Sequence, residues 1–149
     1  ILHLDIYKDG ELIQTEEHNL IVDNACRILA QCIGYRAPIA NKVISLIKFS
    51  TGNQPVGKTK TALDGTVFSK AIDSVTYDPS GAPDDIQFNF SLGAGEFNGN
   101  NIWQFGLFNA DNVMFSMLSR NPSKAYPIEK DSSTTISGWW KIQFRNLSS

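Results

Sequence analysis

Gly52-Asn53-Gln54-Pro55-Val56-Gly57-Lys58-Thr59 matches the phosphate-binding loop G-x-x-x-x-G-K-[ST] at every fixed position, and it follows a β-patterned stretch. In such a loop the backbone N–H groups cradle phosphates, Lys58 would reach the β- and γ-phosphates, and Thr59 would hold Mg²⁺. That chemistry also needs a helix starting at the lysine, whose N-terminal dipole holds the anion. Here only Lys60 to Asp64 separate Thr59 from Gly65, and β pattern resumes at Thr66. No apolar run ending in Asp offers a second metal carboxylate from a neighbouring parallel strand. The segment reads as a solvated loop of turn formers, and an NTPase acting through Gly52–Thr59 is the weakest functional reading.

The other candidate groups are sparse. His3 and His18 are the only histidines, and neither pairs with a nucleophile in a G-x-S-x-G elbow. The carboxylates Asp64, Asp73, Asp78, Asp84, Asp85, Glu96 and Asp111 fall mostly in loops. Asp84-Asp85 is the best pair for glycoside hydrolysis or Ca²⁺, but adjacent residues entering a strand point apart, and the twelve-residue calcium loop is missing. Cys26 and Cys32 on one helix would lie on different faces, about 9 Å apart in rise, too far to bridge. They read as free buried thiols, in keeping with a reducing cytoplasm. Asn89-Phe90-Ser91 and Asn146-Leu147-Ser148 match the glycosylation sequon, the first inside a strand pattern. The residues call for no catalytic group, cofactor or metal.

Contact chemistry is better represented. Trp139 and Trp140 are neighbours, so one of them leaves the core face of its strand. An outward Trp serves a subunit contact or a sugar-stacking platform, unless a loop or helix covers it. Trp103 raises the same question. It lies in the segment from Ile102 to Ser119, which reads as a β-hairpin apolar on both faces. Ile102, Gln104, Gly106 and Phe108 share one face, and Trp103, Phe105 and Leu107 the other. Asn109-Ala110-Asp111-Asn112 is the turn, and Asn112 tolerates a positive φ. Val113, Phe115 and Met117 then alternate with Met114, Ser116 and Leu118. Strands this apolar are either central in a sandwich or covered by a neighbouring subunit.

The surrounding elements are mostly strands. Leu2, Leu4 and Ile6 alternate with His3, Asp5 and Tyr7, turn at Lys8-Asp9-Gly10, and return from Leu12 toward Asn19. One helix is predicted from about Asp23 to Ile33, capped by Asp23 or Asn24 and ended by Gly34, with Val22, Ala25, Cys26, Leu29, Ala30 and Ile33 on its apolar stripe. Val43–Ser50 is a strand. Thr66–Tyr77 changes phase, with Phe68 and Ile72 on one parity and Val75 and Tyr77 on the other, which a bulge would reconcile. Ile86–Leu92 alternates cleanly, and Thr134–Arg145 presents Ile136, Gly138, Trp140, Ile142 and Phe144 on one face. Seven or eight strands with no βαβ alternation predict a mainly β fold, an antiparallel sandwich or flattened barrel with one short helix in the N-terminal half.

The totals agree. A length of 149 residues suits one domain with a real core, 1–149. Hydrophobic content of 42% and charged content of 19% are globular values, and a net charge of −2 gives no general attraction to nucleic acid or anionic membranes. No apolar run is long enough to span a bilayer, and no signal-peptide pattern is visible in a chain that begins at Ile1.

Several segments carry a recognisable order. Asn19-Leu20-Ile21-Val22-Asp23-Asn24 with Leu29 is similar to N-L-[VI]-V-x-x-G leading into a helix, and Ile44 to Gly52 to a strand of the form I-x-x-I-x-[FV]-G-T-G. Leu63 through Ile72 is similar to T-x-L followed by a basic and an aliphatic residue. Gly106 to Ser116 is close to G-L-F-[DN]-A-D-G-x-L-F-[AS]. Pro127-Ile128-Glu129-Lys130 before the strand ending Trp140-Lys141-Ile142-Gln143-Phe144 follows P-x-x-K then T-[IL]-x-x-x-W-x-I-x-F. Together, from about Asn19 to Phe144, they resemble bacteriophage tail proteins of the baseplate and tail-fibre attachment type. Gly106–Ser116 and Pro127–Phe144 are the specific pieces. Asn24 and Ala25 stand where a glycine is common, Ser50 at the first glycine of the strand motif, and Asn112 at the turn glycine.

The resemblance implies a non-enzymatic virion protein of a phage tail or tail-like particle, made in the bacterial host cytoplasm. It would be a homo-oligomer assembling with other tail and baseplate proteins. Trp103, Phe105, Phe115 and Trp139 are the expected contact anchors. The alternative is a carbohydrate- or receptor-binding module at the tail tip, taking a host glycan on an outward aromatic such as Trp139 beside Gln143 or the Asn98–Asn101 loop.

Overall fold

The computed structural model describes residues 1–77 and 85–144. Two antiparallel five-stranded sheets pack face to face. The first holds β1 (Leu2–Lys8), β2 (Glu11–Glu17), β6 (Ser74–Tyr77), β7 (Asp85–Leu92) and β12 (Thr134–Gln143), in the order β2-β1-β12-β7-β6. The second holds β3 (Leu20–Ile21), β4 (Ile44–Ser50), β5 (Val67–Ala71), β9 (Gln104–Asn109) and β10 (Met114–Ser119), in the order β3-β10-β9-β4-β5. A short ladder of β8 (Asn100–Ile102) and β11 (Ile128–Lys130) stands apart. The sheets are not closed into a barrel, so the fold is the sandwich of the two predicted forms. It has more strands than the sequence pattern shows, because β3, β6, β8 and β11 are two to four residues long. That is too short for an alternation to register.

The core lies between the sheets. β1 contributes Leu2, Leu4 and Ile6, β7 contributes Phe88, Phe90 and Leu92, and β12 contributes Ile136, Trp140 and Ile142. They meet Ile47 and Phe49 of β4 and Phe105 and Leu107 of β9. Phe49 packs edge-on against Phe90 and Phe105, with ring centroids 6.0 and 5.6 Å apart, the favoured arrangement for aromatic quadrupoles.

The phase change in Thr66–Tyr77 is not a bulge. β5 belongs to the second sheet and β6 to the first, and the chain crosses between them at Ile72-Asp73. The Ile72 N–H donates to Ser45 O at 2.9 Å on one side, and the Asp73 N–H to Asn89 O at 2.8 Å on the other. Inward parity resets because the two strands face the core from opposite layers.

The helix α1 (Asn24–Ile33) covers one end of the sandwich and stops at Gly34. Its buried stripe is Ala25 and Ile28, with Leu29 and Cys32 partly buried beside them. This is a narrow i, i+3, i+4, i+7 seam. Cys26, Ala30 and Ile33, expected on that stripe, are exposed, and Val22 precedes the helix to join another cluster. Both thiols are free, but Cys26 is not buried and Cys32 is only partly so.

Candidate functional site

The hairpin of β9 and β10 is buried along its whole length. A register shift between Met114 and Ser116 rotates the strand, so Phe115 and Leu118 face the inter-sheet core while Met114 and Met117 face outward. The strict alternation expected from the sequence is broken by this bulge. The outward face is covered by the chain itself: Phe108, Met114 and Met117 pack with Val22 and with Leu63 from the 51–66 loop. A Cβ at Gly106 would lie 2.7 Å from Phe108 Cε2 and 3.2 Å from Leu63 Cδ2, so glycine admits this lid. Phe105 and Phe115 are 0% and 3% exposed and are core residues, which corrects their expected role as contact anchors. Two-sided apolarity in this hairpin serves two internal layers.

The same lid explains Gly52–Thr59. No helix follows Thr59, and the loop folds on itself over the second sheet. The buried Gln104 staples it: its side-chain oxygen accepts the Asp64 N–H at 2.9 Å, and its amide donates to Gln54 O at 2.8 Å and Asp64 Oδ2 at 2.9 Å. The Ser50 hydroxyl donates to Asp64 O and accepts the Gly52 N–H. A Cβ at Gly52 would lie 2.5 Å from the Asp64 backbone, so this glycine serves chain crossing. Lys58 O accepts the Asp23 N–H at 2.8 Å, tying the loop to the start of α1. The loop carbonyls of Gln54 and Lys58 are tied to Gln104 and to the start of α1, so the segment is held as a lid and not at the N-terminus of a helix.

Hydrogen bonding from Gln104, and then from Lys60, holds the Asp64 carboxyl below the usual aspartate range. A carboxyl depressed in the folded state stabilises above its unfolded value near 3.8, and that contribution is lost as pH falls through its folded value. Asp64→Asn is therefore expected to melt below the wild type near neutrality and to converge with it in acid, once the pH has fallen through the depressed folded value. Thermal melts across that range check this.

Trp139 is half-buried on the outer face of the first sheet. It lies in a row that crosses all five strands: Glu16, His3, Trp139, Asn89 and Ser74. The His3 ring lies parallel to the indole, with centroids 5.0 Å apart and planes 9° apart, and Lys141 Nζ lies over the indole at 5.2 Å. His3 is 3.1 Å from Asp5 Oδ1 and 3.3 Å from Glu16 Oε1. The Asn89 amide donates to Ser74 Oγ at 3.0 Å. Trp103 is also half-buried; its N–H donates to Ser50 O at 2.9 Å and its carbonyl accepts the Arg120 N–H at 2.8 Å. The structure does not bring the two indoles into one cluster with Phe105 and Phe115. Among the described residues no group of three His, Cys, Asp or Glu gathers at a metal-binding distance. Asp85 is buried and accepts from Gln143 at 3.1 Å. Asp78, Asp84 and Asn146 lie outside the described residues.

Two clefts open at opposite ends of β12, and single-strand periodicity shows neither. The first, about 380 Å³, lies where α1 meets the ends of β4, β6, β7 and β12. Ile28, Leu29, Ile44, Ile86 and Phe115 line its interior, and Val43, Val75, Tyr77 and Phe144 stand exposed at its rim. The second, about 410 Å³, lies between β2 and the segment from Arg120 to Glu129, over Ile6 and Ile128. Arg120 is buried there and donates from Nη1 to Glu17 Oε2 at 3.0 Å and from Nε to Tyr126 O at 3.3 Å. The exposed rim aromatics carry the only signal the sequence could have offered, as apolar residues on edge positions.

No known protein family, curated protein or solved structure matches this chain.

Proposed function

We propose that this chain is a structural, non-enzymatic component of a phage tail or tail-like particle, at the baseplate, collar or fibre attachment, working by packing against copies of itself and other tail proteins. The observation that carries the reading is the first cleft. Val43, Val75, Tyr77 and Phe144 are exposed around one apolar opening, and Tyr77 is 68% exposed. Apolar side chains gathered at one place on a sandwich gain about 25 cal/mol for each Å² removed from water, and such patches mark protein contacts. The motif resemblance from Asn19 to Phe144 supplies the kind of particle.

The experiment is the solution mass of the purified chain by light scattering, with the double variant Val75→Asp/Tyr77→Asp beside it. A discrete symmetric oligomer is expected for the wild type, and a folded monomer for the variant, since each aspartate would be buried unpaired. A wild-type monomer at high concentration sinks the homo-oligomeric part. Absence of the chain from purified particles, by mass spectrometry, sinks the assignment to a tail.

The second reading, a host-glycan module at the tail tip, has the Trp139 row in its favour: an outward indole among amide, hydroxyl and carboxylate groups. Its difficulty is that His3 already lies against the ring. Glycan-array binding lost in Trp139→Ala would favour it over assembly.

A further inference from the structure

β2 is the outermost strand of the first sheet, paired with β1 on one side only. Edge strands are usually blunted by charge along their length. In β2 the carboxylates sit at the two ends: Glu11 beside the turn, and Glu16 and Glu17 against His3 and Arg120. Leu12 to Thr15 between them carry no charge, and Leu12 and Ile13 are exposed. The second cleft is lined by Ile13, Gln14 and Thr15 in succession. Alternate side chains of a strand point to opposite faces, so three consecutive lining residues mean that the cleft runs along the backbone edge itself. Its floor is apolar, from Ile6 and Ile128.

The charge of the wall is not balanced. Three cations line the cleft, Lys8, Arg120 and Lys124. Lys8 lies 3.5 Å from Glu129 and Arg120 is taken by Glu17. Lys124 has no ion pair among the described residues. An open edge, an apolar floor and one uncompensated ammonium define a particular occupant. We infer that β2 and this cleft dock an extended, acidic segment of a partner protein, added as a further strand to the free edge, with apolar side chains over Ile6, Ile13 and Ile128 and a carboxylate at Lys124. Main-chain pairing supplies affinity in such strand addition, and the alternate side chains supply selectivity. This inference stands apart from the first cleft, which lies at the other end of β12, roughly 27 Å away at strand spacing.

The test uses the full chain and two fluorescent heptapeptides of alternating Val and Thr, one with two Glu substitutions and one with Lys at the same positions. Anisotropy is expected to show the acidic peptide binding at least about ten-fold tighter than the basic one. Lys124→Glu, a substitution at a partly exposed side chain, is expected to abolish or reverse that preference. Val75→Asp/Tyr77→Asp is expected to leave it unchanged, so failure here and failure at the first cleft are separable. Hydrogen exchange should slow at Leu12–Thr15 when the acidic peptide is added. The inference is overturned if neither peptide binds, if both bind equally, or if Lys124→Glu changes nothing. Protection of β2 that rises with protein concentration alone would make the occupant a second copy, and would also overturn it.

Discussion

Gly138→Val is expected to leave no folded protein, and Gly138→Ala to be among the most damaging methyl additions in the chain. Gly138 faces the core at the centre of β12, between β1 and β7, opposite Leu4 and Phe90. A Cβ there would collide with the His3 carbonyl oxygen, lie 3.0 Å from Phe90 Cζ, and lie 3.3 Å from Leu4 Cδ2. A side-chain tip can turn away, but a ladder carbonyl cannot move without pulling β1 off β12. Overpacking in cores costs about 1–3 kcal/mol where side chains yield. With backbone in the way, the alanine variant should lose about 3 kcal/mol and melt about 10 °C lower, at the 2–4 °C per kcal/mol expected for this size. Valine adds two more methyl groups to the same clash and would consume most of the 5–15 kcal/mol typical of a domain. Gly95→Ala is the control, since a Cβ there meets nothing within 4 Å. Equal melting of the Gly95 and Gly138 alanine variants would show that β1 and β12 are not paired in this register.

The second large effect is expected at Arg120. The Arg120 and Glu17 side chains are 4% and 5% exposed, and they join the end of β2 to the end of β10 across 103 positions of sequence. Arg120→Leu leaves a buried carboxylate without its counter-charge, which costs about 3–5 kcal/mol. The pair itself is a poor stabiliser, because Glu17 Oε1 is buried without a hydrogen-bond partner. The double variant Glu17→Leu/Arg120→Leu is therefore expected to recover most of the loss and to lie within about 1 kcal/mol of the wild type, or above it. Urea unfolding of the four proteins in this cycle reads the coupling directly. A double variant as unstable as Arg120→Leu alone would mean that arginine acts through packing on Tyr126 rather than through Glu17, a contact the structure places at 5.8 Å.

What the sequence determined by itself is local. Period-two alternation placed β1, β7 and β12 and their inward residues, because each strand presents alternate side chains to one layer whatever its partners are. Asp9 and Gly10, with positive φ, make the first turn, and Asn112, with φ 63°, makes the hairpin turn. The absence of βαβ spacing was enough for an antiparallel sandwich or flattened barrel, and the open edges of the two sheets decided for the sandwich. Only the tertiary structure decided which layer each face meets. Periodicity cannot distinguish a bulge from a crossing between sheets, since both reset parity: the break in Thr66–Tyr77 is a crossing, and the bulge lies at Met114–Ser116. It also cannot say what covers a second apolar face. In the hairpin that cover is Leu63, held by the Gln104 staple, and Val22, whose N–H donates to Phe115 O; it buries Phe108, Met114 and Met117, while Phe105 and Phe115 are buried by the opposite sheet. The clefts at the two ends of β12 are likewise products of where the sheets and α1 fall short of each other. No run of adjacent residues records such a gap, because it is set by the packing of elements distant in sequence.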